Sequence, residues 1–146
     1  QPQGVLCGSQ GTGRLAERPA FAWTTIVDSA FTGHGTHRSK APLGELASRL
    51  AANPPYKSQR SFGAVALDWC WLAAGRCHVY LHGQQKLWDY AAGSLILLEA
   101  GGSAVTLEGG PVFSPTLRPR SSVAALDPAI FTQWTEWLQI PAERNA

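Results

Sequence analysis

The hydrophobic positions of this chain change period several times along its length. Residues 22–27, Ala-Trp-Thr-Thr-Ile-Val, are β-branched and aromatic and predict a buried strand. After a polar, glycine-containing loop, Pro42 opens a segment in which Leu43, Leu46, Ala47 and Leu50 recur at i, i+3, i+4 and i+7, one face of a helix that Pro54 and Pro55 stop. A short extended piece at 56–60 leads to Ser61 as an N-cap and a helix over 63–74, with Gly75 as its stop. Val65, Trp69 and Leu72 line one side of that helix.

Residues 77–81 read as a strand with Val79 and Leu81 on one face, and the glycine and glutamines at 83–85 as its exit turn. A second helix is expected from about Asp89 to Ala100, ended by Gly101 and Gly102. Leu95, Ile96, Leu97 and Leu98 make it apolar nearly all round, so burial between two layers is expected. Strands follow at 105–107 and 122–126. Asp127-Pro128 then caps a last amphipathic helix carrying Ile130, Phe131, Trp134, Trp137 and Leu138. Strands alternating with helices indicate one α/β domain over residues 1–146, a layered mixed sheet with flanking helices.

Composition narrows the function. At 146 residues, the chain buries roughly 70% of the surface it exposes when unfolded, enough for one core. No apolar run reaches the ~20 residues of a membrane span, so no membrane partner is expected. The net charge of +2, from 12 basic and 10 acidic residues, is scattered, which argues against nucleic acid as a partner. Three cysteines without C-x-x-C spacing, Cys7, Cys70 and Cys77, fit neither a disulfide framework nor a zinc knuckle and point to a reducing cytoplasm. The start at Gln1 and the lack of methionine suggest a piece of a longer chain.

The most specific feature is residues 88–102, W-D-Y-A-A-G-S-L-I-L-L-E-A-G-G. An aspartate in the first turn of a helix is held by unpaired backbone N–H groups and the positive end of the helix dipole, which positions Asp89 as a hard oxygen ligand of the kind Mg²⁺ takes. The same helix end attracts phosphate, and Ala91, Ala92 and Gly93 leave room for it. The plainer alternative is a capping aspartate followed by small packing residues.

This segment resembles the second signature of the inositol monophosphatase family. The upstream S-F-G-A-V-A-L-D-W-C-W-L-A-A-G-R and C-H-V-Y-L-H are also similar to the family's pattern, so the resemblance runs clearly over residues 61–112. It implies the C-terminal lobe of the inositol monophosphatase/fructose-bisphosphatase fold and Mg²⁺-dependent hydrolysis of a small phosphomonoester. Asp89 is then a metal ligand and catalytic residue. Gly63, Ala64 and Val65 lie where the family's helix start approaches substrate, and His82 takes the place of a glutamate that touches a sugar hydroxyl in inositol-specific members.

The family's other metal motifs, a glutamate pair and Asp-Pro-x-Asp-Gly-Thr, do not occur here. Asp127-Pro128 is followed by Ala129 and Ile130 and reads as a helix cap. One carboxylate does not organise a multi-metal site. The chain is therefore expected to be inactive alone, completed by a missing N-terminal half or a homo-oligomer partner. The alternative is a non-catalytic binding or assembly protein that reuses the lobe.

Other features carry less. His34 and His37 lack a third ligand and read as a surface loop, and G-S-Q-G-T-G at Gly8 lacks the Gly-Lys-Ser/Thr of a phosphate loop. Asp68 is expected either to support the site or to pair with Arg60 or another cation.

Overall fold

The computed structural model describes residues 24–27, 41–60 and 62–141. The expectations for Cys7, the Gly8 turn, His34, His37 and Ser61 lie outside them. Five strands form one mixed sheet: β1 (Thr24–Val27), β2 (Ser58–Arg60), β3 (Val79–Gln85), β4 (Ser103–Val105) and β5 (Arg120–Ala125). Their order is β2-β1-β3-β5-β4, with β1 parallel to β2 and β3, and β5 antiparallel to β3 and β4. Among the described residues four helices accompany them: α1 (Ala41–Ala52), α2 (Val65–Ala73), α3 (Leu87–Glu99) and α4 (Pro128–Leu138).

The connectivity dictates the layers. The chain steps outward from β1 to β2 through α1, then back past β1 to β3 through α2. Parallel crossovers are nearly always right-handed, so reversing the direction of travel sends the two helices to opposite faces. Two separate cores result. Leu46 and Leu50 of α1 and Ile130, Trp134 and Leu138 of α4 pack on Val79, Leu81, Val123 and Ala125. Trp69 and Leu72 of α2 and Tyr90 and Leu97 of α3 pack on Tyr80 and Ala124, the intervening positions of the same strands. A sheet covered on both faces explains why Val79, Tyr80 and Leu81 of β3 and Val123, Ala124 and Ala125 of β5 are apolar and buried without alternation.

The α1/α4 layer closes with polar chemistry. Trp134 Nε1 donates to the Tyr80 carbonyl at 3.1 Å, and Arg49 both donates to the Trp137 carbonyl at 2.6 Å and lies 4.7 Å over that ring. The expected cap of the last helix is present, with Asp127 Oδ1 accepting from the Ala129 and Ile130 N–H groups at 2.8 and 3.1 Å.

Three expectations are corrected. The α2 helix starts at Val65 with Ala64 at the N-cap position, because Gly63 at φ +73° turns the chain just ahead of it. β3 does not leave the sheet at 83–85. It continues to Gln85 opposite Arg120, with an irregularity between His82 and Gln85, since pairing with β5 outweighs local turn preference. Finally, α3 is not sandwiched among the described residues. Tyr90, Gly93, Ser94 and Leu97 are buried, whereas Leu95, Ile96 and Leu98 are 58%, 46% and 54% exposed, because only one side of the helix meets the sheet and α2.

Each core holds a titratable group that stabilises the fold only while protonated. Burial and the nearby charge of Asp68 raise the Cys77 thiol from 9.0 to about 11, and burial raises the Tyr56 hydroxyl from 10.0 to about 12. Both folded values exceed the unfolded ones, so their contribution is complete below pH 9 and is lost as pH rises from 9 through 12. The urea midpoint is expected to be level between pH 7 and 8.5 and to fall by pH 10.5, with Cys77→Ala flattening the first part of that fall.

Candidate functional site

The α3 helix leaves the end of β3 through a single residue, Lys86, and α2 enters the start of β3 through residues 74–78. Both helices therefore run counter to β3. Their N-terminal ends, where the helix dipoles are positive, lie at the end of the sheet where β3 finishes.

Asp89 is the third residue of α3. Its Oδ2 accepts from the Lys86 N–H at 2.9 Å while its own N–H donates back to the Lys86 carbonyl at 2.9 Å. This pair of bonds fixes the carboxylate against the helix start. The Lys86 side chain lies over the Trp88 ring, with Nζ 5.1 Å from its centre. Ala92 is exposed and Ala91 half-buried, so neither raises bulk near the carboxylate. Gly63 begins the other helix start with its positive φ, and Ala64 and Val65 follow it, half-buried.

His82 lies on β3 near the same end but is only 3% exposed. Its Nδ1 accepts from the Gln84 N–H at 3.1 Å, and its ring stands 6.3 Å from that of Tyr80. Asp68 is buried on α2, and Arg60 donates to the Gln59 carbonyl at 3.0 Å.

The residue that the sequence did not flag is Gln85, fully buried directly before Lys86. Its Oε1 accepts from Trp69 Nε1 at 3.0 Å and from the Tyr80 hydroxyl at 3.4 Å, and its Nε2 donates to Ser122 Oγ. One amide thus ties α2, β3 and β5 together at the point where α3 departs. No local signal marks it, because a glutamine beside a glycine reads as a turn until its three partners are known. Gln85→Leu keeps the volume but leaves the Trp69 and Ser122 groups without their partner. It is expected to cost about 2–3 kcal/mol in urea unfolding.

Gly93 sets the spacing of the two helices. A Cβ there would lie 2.3 Å from the Trp69 Cβ, so α3 and α2 meet at backbone distance.

As for a metal, Asp89 offers one hard oxygen donor, matching one coordination position of a Mg²⁺ ion. Among the described residues, no group of three His, Cys, Asp or Glu side chains converges to complete such a site. Among the same residues, no helix is long and apolar enough to cross a membrane.

Comparison with known proteins identifies the family and the fold. The inositol monophosphatase family pattern matches residues 15–138. The inositol-1-monophosphatase of Bacillus subtilis is 40% identical over 74 residues, covering 51% of this chain and 27% of its own. That of Caulobacter vibrioides is 30% identical over 110 residues, covering 73% of this chain and 40% of its own. Among solved structures, inositol monophosphate-bound SaIMPase-II superposes with a TM-score of 0.67 at 22% identity, covering 84% of this chain and 44% of that one. The chain spans less than half the length of these relatives, and with a family match across most of its residues it belongs to the inositol monophosphatase family.

Proposed function

We propose that this chain supplies one metal ligand and part of the substrate site of a Mg²⁺-dependent phosphomonoesterase, and that it is inactive without a second piece. The observation that carries the reading is Asp89, held by the Lys86 N–H in the first turn of α3 at the head of the family motif. When bound, Mg²⁺ supplies charge stabilisation to the phosphoryl oxygens and lowers the pKa of water.

The chain's own residues do the rest of its share. Asp89 holds one coordination position. The positive N-terminal ends of α2 and α3 attract and orient the phosphate, with Gly63, Ala64 and Val65 forming one wall. Ala91 and Ala92 keep the approach open, and Lys86 adds positive charge. His82 is assigned to the hydroxyl side of the substrate. The substrate class is a small phosphomonoester, of which the inositol monophosphate held by SaIMPase-II is one example. A cytoplasmic setting accords with the free thiols of Cys70 and Cys77.

The test is phosphate release from a panel of sugar, inositol and nucleoside monophosphates, with Mg²⁺ and with EDTA. This chain alone is expected to release none. Release is expected once the complementary half of a relative is added, and only with the metal. A binding or assembly role is the rival reading, favoured by the incomplete donor set among the described residues. Silence of every combination, in a correctly assembled pair, would select it.

A further inference from the structure

Trp69 of α2 is gripped at both ends. At one end the backbone of α3 closes on it, a Cβ at Gly93 lying 2.3 Å from the Trp69 Cβ. At the other end its Nε1 donates to Gln85 Oε1 at 3.0 Å. One of these contacts alone would let α2 pivot on α3. Two contacts, at the two ends of one rigid indole, fix both the spacing of the helices and their relative direction. The second contact is also directional. The Tyr80 hydroxyl donates to the same Oε1 at 3.4 Å and Nε2 donates to Ser122 Oγ, so a single orientation of the amide satisfies all three partners. Trp69, Tyr80, Gln85 and Ser122 are fully buried, where a missing partner is most costly.

We infer that Gln85 is a positioning residue for the proposed reaction: through Trp69 it sets where the start of α2 stands relative to Asp89. The inference rests on the reading of this chain as part of a phosphatase. Gln85 is buried away from metal and substrate and acts only through its partners. It directly precedes Lys86, the N-cap of α3, while Trp69 lies about one turn into α2 from Val65. Asp89 takes its local geometry from the Lys86 N–H and needs Gln85 for none of it. What no local bond fixes is the distance from Asp89 to Gly63, Ala64 and Val65, which belong to the other helix start. Ala64, at the N-cap of α2, makes no side-chain bond that could set it. A phosphate in the proposed site lies between the two starts, and misplacing reacting groups by about 1 Å costs on the order of 100-fold in rate. Loss of the Gln85–Trp69 bond therefore acts on turnover more than on metal binding.

The test compares Gln85→Leu and Trp69→Phe, which each remove that bond, with Ser122→Ala, which removes the other arm of the amide and leaves both bonds to Oε1. Phosphate release by the assembled pair is measured at a temperature where circular dichroism shows each variant folded, so that lost stability does not enter the rate. In Gln85→Leu, kcat is expected to fall at least about 10-fold while the Mg²⁺ concentration for half-maximal rate stays within about twofold. Trp69→Phe should fall alike, and the double variant no further than either single one, because both remove one interaction. Trp69→Phe carries the comparison should Gln85→Leu not fold. Ser122→Ala should stay within about threefold of the parent. A merely structural amide would lower the melting point of all three and leave kcat of the folded protein unchanged, which would overturn the inference. A second readout needs neither metal nor activity: residual dipolar couplings of the backbone amides in this chain alone give the angle between α2 and α3. That angle should change in Gln85→Leu and Trp69→Phe and hold in Ser122→Ala. An unchanged angle in the first two overturns the inference whatever the assay shows. A silent parent pair with a changed angle sinks the phosphatase reading instead and supports the hold of Gln85 on the two helix starts.

Discussion

Gly93→Val is expected to destabilise the domain by about 3 kcal/mol, lowering its melting temperature by roughly 10 °C. The Cβ would sit 2.3 Å from the Cβ and 2.6 Å from the Cγ of Trp69, which is fully buried. Neither atom can yield easily. The indole is pinned at its far side by the 3.0 Å bond to Gln85 and flanked by the Tyr80 ring at 5.0 Å. The two helices must therefore separate, opening space in the core between them and the sheet. Better helix propensity returns only a few tenths of a kcal/mol, valine being a modest helix former. Ala92→Val, one residue away on the exposed side, should stay within about 0.5 kcal/mol. Differential scanning calorimetry on the pair measures the difference. Because Gly93 also sets where Asp89 stands relative to the start of α2, Gly93→Val should impair any activity of an assembled enzyme even below its melting point.

Asp89→Asn should have the largest effect on chemistry, a loss of at least about 100-fold in Mg²⁺-dependent turnover by the assembled protein. The substitution is nearly isosteric, and the amide oxygen can still accept the 2.9 Å bond from the Lys86 N–H. What disappears is the negative charge. Its stabilising interaction with the helix dipole is about 0.3–1 kcal/mol, too little to unfold the chain. Asp89→Ala removes the bond as well and should melt lower. A variant that keeps the fold and loses turnover, beside one that loses some of each, separates the carboxylate's structural and chemical parts. If both variants retained turnover, Asp89 would be only a cap.

Much of this architecture could be read from residues alone, for identifiable reasons. Leu46 and Leu50 lie on one helical face, and Asp127-Pro128 writes a helix start with its own hydrogen-bonding partner attached, so α1 and α4 follow from local pattern. The misreadings came where distant residues decide. Gln85 belongs to the sheet because Trp69, Tyr80 and Ser122 satisfy its amide, and no stretch of neighbouring sequence contains all three. The helix expected from residue 63 begins at Val65, because Gly63 turns the chain ahead of it. The apolar circumference of α3 led to an expectation of two buried sides, whereas only one is covered among the described residues. Periodicity reports how much surface a helix is built to bury and is silent on what buries it. The candidate site divides in the same way: the motif located Asp89, while the Lys86 N–H that holds it and the Gln85 anchor behind it emerged only from the fold.

The most direct test of the central claim is phosphate release from an inositol monophosphate by the assembled pair, measured with this chain as it stands and with Asp89→Asn. The account predicts release that needs both pieces and Mg²⁺ and is lost in the Asn variant although the complex still forms. Release by this chain alone, or undiminished release from the Asp89→Asn complex, would contradict it.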